Sequence, residues 1–306
     1  MVLVPEIAWE YKIVIYTMIS VARRRRRRRL EQTYMQSPSQ QIWRSPEEVV
    51  EIGFQRSSVV MMNEAHDGDR RCIRTRQIGK RILPVAHQAG TRYLAMEALY
   101  PMFAKQCNQT RRAPAKNDGY LSQPEMREFI QSALDLGWTL IPYEANPFKW
   151  LSARYGVNFP KAGYTTESLN TLQQYQADLI STEYTNWRDE QQALNLITAL
   201  ESLPEGTQLL VWCGNDHHSK IVIQDWMPMG YQFQRHSGTG NFVIDQIRTV
   251  KFDDVPEYRN KFVAEFKDDL VKLDGTAGFL AEEALSSFGK DHAADAYLFS
   301  LQNDLE

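Results

Sequence analysis

Acids and histidines recur in one kind of place along this chain, immediately after short apolar runs. Val59 to Met62 leads into Asn63, Glu64, Ala65 and His66, and Tyr93 to Met96 leads into Glu97. Trp138 to Tyr143 ends on Glu144, and Gln208 to Trp212 is followed by Cys213, Gly214, Asn215, Asp216, His217 and His218. Such groups support two kinds of chemistry. Crowded carboxylates raise the pKa of a neighbouring histidine, so one histidine can act as general base toward water while an arginine stabilises the developing oxyanion. Alternatively His66, His217 and an acid such as Glu97 can hold a divalent metal, which lowers the pKa of its bound water to about 7 in favourable cases. Both routes end in hydrolysis.

The elements that position these groups follow from periodicity. Val59 to Met62 has no helical period and suits a strand buried on both faces. Asp67 or Asp69 can cap the helix that follows, which puts Glu64 and His66 at the positive end of a helix, a place that favours anions. A polar loop is predicted over Lys105 to Gly119. The next helix is signalled by Ser122 and Glu125 as a capping box and by Met126, Phe129, Ile130, Ala133 and Leu134, with Gly137 ending it. Pro142 cannot donate to a ladder, so the strand leading to Glu144 either stops pairing near Ile141 or lies at an edge. A long helical pattern from Thr166 to Leu203 sets Arg188, Gln192 and Asn195 on one face. Further on, Asn241 to Val250 and Ala296 to Leu301 read as strands and Thr276 to Phe288 as a helix.

Strands alternating with helices imply parallel pairing and right-handed crossovers, hence an α/β fold with a mostly parallel sheet flanked by helices. The strand ends then share one edge, and ligand sites of open parallel sheets lie in the cleft there. A glutamate after one strand is commonly a solvated loop residue, and a lone histidine is commonly structural. Recurrence after four strands points instead to a site. No G-x-S-x-G elbow, Walker loop or Rossmann glycine fingerprint occurs in its expected context. Cys213 falls within a strand pattern and reads as a buried small hydrophobe rather than a nucleophile.

Composition bounds the setting. At 306 residues with 43% hydrophobic and 24% charged content, the chain can bury a core and is not of the disordered class. Setting aside the unbroken run Arg23 to Arg29, 28 basic residues stand against 38 acidic ones, so the folded body is not expected to bind nucleic acid. Three cysteines without CxxC spacing build no disulfide framework, which favours a reducing, cytoplasmic setting. Ile13 to Ala22 is about half the length of a membrane span, and the arginines follow it rather than precede it, so neither a transmembrane segment nor a secretory signal is expected. Residues 1 to 44 read as a disordered extension, with Gln36 to Pro46 a linker, ahead of a single domain over 45 to 306. Anionic-lipid anchoring and a nuclear address are the other readings of the arginine run.

The quoted motifs resemble a known family. Asn63-Glu64-Ala65-His66, followed by Tyr93-Leu94-Ala95-Met96-Glu97-Ala98, is similar to the opening of the erythromycin esterase-like family, where a G-E-x-x-H or G-E-x-H turn precedes a strand ending on an acid. Trp187-Arg188-Asp189-Glu190 through Asn195 resembles that family's arginine helix, and Val211 to His217 its late W-x-x-N-x-H strand end. The wider superfamily includes ChaN-like haem-binding lipoproteins and the TraB and Tiki proteins, whose G-x-x-H motif Gly214 to His217 matches. The resemblance spans about residues 55 to 250. It implies a functional set of Glu64, His66, Glu97, Arg188 and His217, with Arg74 a further candidate and Glu144 added from its strand end. It also implies a small-molecule or peptide substrate, hydrolysed by a His-activated or metal-bound water with His66, Glu97 and His217 as ligands. The ChaN-like alternative is a protein that holds haem or a metal without chemistry. Asn63 stands where the family has glycine, and His218 doubles the last histidine.

Overall fold

One seven-stranded sheet organises the computed structural model, which describes residues 41–64, 73–114, 119–156, 170, 172–248, 276–284 and 292–300. His66, Asp67, Asp69, Cys72 and Arg23 to Arg29 lie outside the described residues. The strands are β1 (Val59–Glu64), β2 (Tyr93–Met96), β3 (Thr139–Pro142), β4 (Leu209–Gly214), β5 (Phe242–Arg248), β6 (Thr276–Leu280) and β7 (Ala296–Ser300), in the order β3-β2-β4-β1-β5-β7-β6. Every neighbouring pair is parallel except β6 with β7. The fold is therefore α/β with a mostly parallel sheet, and the carboxyl ends of β1, β2, β3 and β4 share one edge, as the sequence predicts.

Period-two alternation sends successive side chains to opposite faces. On one face Val60, Met62, Leu94, Leu210 and Trp212 meet α1 (Pro46–Arg56), α2 (Ile73–Gln88), α3 (Pro101–Thr110) and α4 (Pro124–Asp135). A Cβ at Gly79 would sit 2.8 Å from the Trp212 ring, so the glycine lets α2 lie close over β4. On the other face Met61, Ala95, Val211 and Val243 pack against α7 (Thr182–Glu201) and α8 (Met229–Ser237). A third aromatic cluster joins α5 (Pro147–Tyr155), α6 (Gln176–Leu179) and α7 through Trp150, Leu151, Leu179, Tyr184 and Trp187.

Several local expectations are corrected. The described part of the helix expected over Thr276 to Phe288 is not helical in that way: Thr276–Leu280 is an edge strand antiparallel to β7, followed by a single 3-10 turn at Ala281–Glu283. Its apolar residues fit either period, and pairing with β7 decides for the strand. Lys105 to Thr110 belongs to α3 rather than to a loop. Ser122 does not cap α4, because it closes a 3-10 turn and bonds Gly119, and Pro124 opens the helix instead. The long pattern of Thr166 to Leu203 breaks at Ser181, whose hydroxyl caps α7 at the Tyr184 N–H. The end of the predicted linker is docked, with Arg44 bridging the backbone of Gly278 and pairing with Glu283 at 2.7 Å.

Pro142 does lie in an edge strand. There the Asn108 side chain from α3 takes both free backbone groups of Leu140, at 2.8 and 2.9 Å, which covers part of the open edge. Among the described residues no helix is long and apolar enough to cross a membrane, and Cys107 and Cys213 are both buried.

Candidate active site

Helix α7 carries Arg188, Gln192 and Asn195 on the face turned to the strand ends, and all three converge on the end of β3. The Arg188 guanidinium grips Glu144 through both carboxylate oxygens at 2.9 Å and reaches Glu97 Oε1 at 2.6 Å. Gln192 donates to Glu144 at 3.0 Å, and Asn195 donates to the Tyr143 carbonyl at 3.0 Å. Glu97 also accepts the Gly214 N–H, which ties the ends of β2 and β4 together. The next residue, Ala98, has a φ of 63° and donates its N–H to Glu144 at 3.0 Å. A left-handed alanine is strained. Here the turn aims Glu97 and the Ala98 amide into one cluster.

His217 enters the same cluster. Its Nδ1 lies 2.5 Å from Asp189 Oδ1, and the other Asp189 oxygen accepts the Trp226 indole N–H. Trp226 also meets the imidazole edge-to-face at 5.2 Å. Asp189 as acceptor assigns the proton to Nδ1. Nε2 lies 4.0 Å from Glu97 Oε1 and has no hydrogen-bond partner among the described residues. Burial pushes the His217 pKa down, but Asp189 and Glu97 more than offset it, and the net shift is upward. The histidine loop is seated on the start of α8, where Gly230 donates to the His217 carbonyl at 2.8 Å. A Cβ at Gly230 would fall 2.0 Å from the His218 carbonyl oxygen, so only glycine fits.

His218 turns the other way, with Nε2 3.6 Å from Asp245. Of the two adjacent histidines, His217 is the one that faces Glu97. Asn63 occupies the space beside it: its amide donates to Asn215 at 3.0 Å and to Asp245 at 2.9 Å, and its oxygen accepts the Gln246 N–H at 2.5 Å. The asparagine thus links the ends of β1, β4 and β5.

Two other described candidates lie elsewhere. Glu64 shares the parity of Val60 and Met62 and faces α2, where Arg76 binds it through Nε and an Nη at 2.9 and 2.8 Å. Trp212 Nε1 at 3.0 Å and the Tyr120 hydroxyl also donate to it. Arg74 donates to Thr276 on β6. The structure therefore brings Glu97, Glu144, Arg188 and His217 together and holds Glu64 on the opposite face.

Asp189 and Trp226 are the residues the sequence reading missed. A signal for Asp189 existed: with Gln192, Ala193 and Leu196 it follows the buried spacing of α7, and a fully buried aspartate on such a stripe needs a partner. Burial and the nearby Glu97 push the Cys213 thiol well up, so it is no nucleophile; burial likewise raises Tyr143, whose hydroxyl donates to the Trp212 carbonyl at 2.9 Å. Among the described residues no three His, Cys, Asp or Glu side chains are placed to share a metal ion. Of the three expected metal ligands, Glu97 is engaged by Arg188 and Gly214, His217 by Asp189, and His66 lies outside the described residues.

No known sequence family matches the chain, and no curated protein matches it. Solved structures do. A protein from Bacillus cereus aligns over 83% of this chain and 90% of its own at 12% identity, with a TM-score of 0.57. A mutant of erythromycin esterase EreC in its open conformation aligns over 84% and 97% at 10% identity, with a TM-score of 0.52. ChaN of Campylobacter jejuni, a haem-bound structure, aligns over 87% and 99% at 11% identity, with a TM-score of 0.47. The chain has the fold of erythromycin esterase EreC and of the Bacillus cereus protein.

Proposed function

We propose that this protein is a hydrolase of an ester, lactone or amide, in which His217 activates water at the carboxyl ends of β2, β3 and β4. The observation that carries this reading is the Asp189–His217 contact at 2.5 Å, with Nε2 left without a described partner beside Glu97. Asp189 holds the imidazole in the tautomer whose Nε2 lone pair can take a proton and stabilises the imidazolium that results. Water gives its proton to Nε2 as its oxygen attacks the acyl carbon, and the same proton passes to the leaving oxygen or nitrogen as the carbon–heteroatom bond breaks. Arg188 is the cation of the cleft among the described residues. It clamps the oxyanion or a substrate carboxylate, while Glu97 and Glu144 fix its plane. His66, two residues beyond β1, is the second base in this reading, and Glu64 braces the strand from the far face.

The test is a panel of p-nitrophenyl esters, lactones and aryl amides offered to the purified full chain and to His217→Gln. Turnover in wild type, a loss of about a hundredfold or more in the variant and unchanged folding are expected. No turnover across the panel, or equal turnover in both proteins, would overturn the proposal. Haem binding without chemistry asks for an accessible axial ligand at an apolar slot. His217 is instead surrounded by Asp189, Glu97 and Arg188, a charged cluster rather than an apolar slot, which supports that alternative less.

A further inference from the structure

A cavity unconnected with this cluster lies between α3 and α4, with a volume of about 590 Å³. Its apolar lining is Phe103, Cys107, Ala113 and Pro114; its charged lining is Arg111, Arg112 and Arg127, and no carboxylate is among the described lining residues. This departs from the rest of the body, where acids outnumber bases. Arg112 is exposed and makes no ion pair among the described residues, and Arg127 makes none either.

The wall that closes the cavity is pinned rather than loose. Arg111, in a left-handed cap at the end of α3, donates to the carbonyls of Trp138 and Leu134. From α4, Gln131 holds Arg111 O at 3.1 Å and the Ala113 N–H at 2.9 Å, and Arg127 Nε holds Pro114 O at 2.8 Å. The Nε bond fixes the Arg127 plane, and the rest of its guanidinium edge remains available. Planar guanidinium groups favour carboxylate and phosphate oxygens, and the volume falls in the range of small-ligand pockets.

We infer that this cavity binds a small organic anion, a carboxylate or phosphate head against the arginines with an apolar body over Phe103 and Cys107. The site stands independently of the hydrolase reading. Calorimetric titration of the full chain with phenyl phosphate, benzoate and inorganic phosphate tests it, comparing wild type with Arg112→Ala and with Arg112→Ala,Arg127→Gln. The seven-arginine run also attracts anions, so the difference between the proteins is the readout. Saturable binding of phenyl phosphate or benzoate is expected, weakened about tenfold by Arg112→Ala and further by the second change. Inorganic phosphate should bind about tenfold more weakly than phenyl phosphate, since it lacks the apolar body. The stronger of phenyl phosphate and benzoate identifies the head group. Identical isotherms in wild type and double variant, no saturation with any probe, or equal affinity for inorganic phosphate would each overturn the assignment. Arg112 has no described partner to lose, so its variant separates binding from folding.

Discussion

Replacing Arg76 by methionine tests whether Glu64 is a brace or a catalyst. Glu64 and Arg76 are 0% and 1% exposed, and the carboxylate takes both bonds of the arginine fork together with Trp212 and Tyr120. Methionine fills much of the volume but removes the guanidinium fork that pairs with a buried carboxylate. Breaking one side of such a pair costs about 3–5 kcal/mol. At about 2–4 °C per kcal/mol for a domain of this size, the melting temperature should fall by roughly 6–20 °C. Thermal unfolding followed by circular dichroism reads this directly. Adding Glu64→Gln removes the stranded charge and should recover about 2 kcal/mol or more, a coupling expected only of groups in contact. If a hydrolysed substrate is in hand, the double variant assayed well below its melting point should turn over within about threefold of wild type, because Glu64 lies on the face away from His217. A single-variant loss below about 1 kcal/mol would refute the ion-pair argument. A hundredfold loss of turnover in a folded double variant would return Glu64 to the catalytic set.

Further predictions concern the other face. Because the folded His217 pKa is raised, the protonated ion pair with Asp189 adds stability that is fully present below the unfolded value near 6.5 and is lost as pH rises through the folded value. Wild type should therefore exceed His217→Gln in melting temperature by more at pH 6 than at pH 8.5, and an equal or reversed difference would contradict the assignment. Asp189→Asn should move the acid limb of the rate profile to lower pH and reduce turnover by about a hundredfold or more, since the imidazole loses its orienting acceptor; an unmoved limb would count against the dyad. Gly230→Ala must displace the His218 carbonyl or the start of α8, so a loss of about 1–3 kcal/mol with altered His217 resonances is expected in NMR spectra. Asn108→Ala strips both bonds from Leu140 and should destabilise by about 1–2 kcal/mol in urea unfolding.

Strands β1 to β4 were legible because each is an apolar run cut off by polar residues, and parallel pairing then carried Glu97, Glu144 and His217 to one edge. The face of α7 was legible too, since i, i+4 and i+7 lie together in any helix. What a single sequence withholds is the partner across space. Spacing did not tell whether Glu64 meets His217 or Arg76, although its parity with Val60 and Met62 fixes its face once α2 is known to cover that side. Asp189 was overlooked because the i, i+4, i+7 spacing picks out Arg188, Gln192 and Asn195, and nothing in it marks the residue beside Arg188 as the partner of His217. The edge strand at Thr276–Leu280 was read as helix because an apolar stretch running into Ala-Glu-Glu-Ala suits a helical period as well, and only the sheet edge waiting for a partner distinguishes them.

Trp212 joins the two layers of the molecule. Its indole N–H reaches Glu64 on one side of the sheet, while its carbonyl accepts both the Glu97 N–H at 3.0 Å and the Tyr143 hydroxyl on the side of the histidine. Two hydrophobic cores that share no side chains are thereby stitched at one central residue. Neither layer can open without disturbing bonds of the other, so amide hydrogen exchange in α2 and α7 should proceed through one cooperative opening rather than two. A lesion beneath the sheet is then felt above it, and the histidine cluster keeps its geometry only as long as the whole slab remains closed.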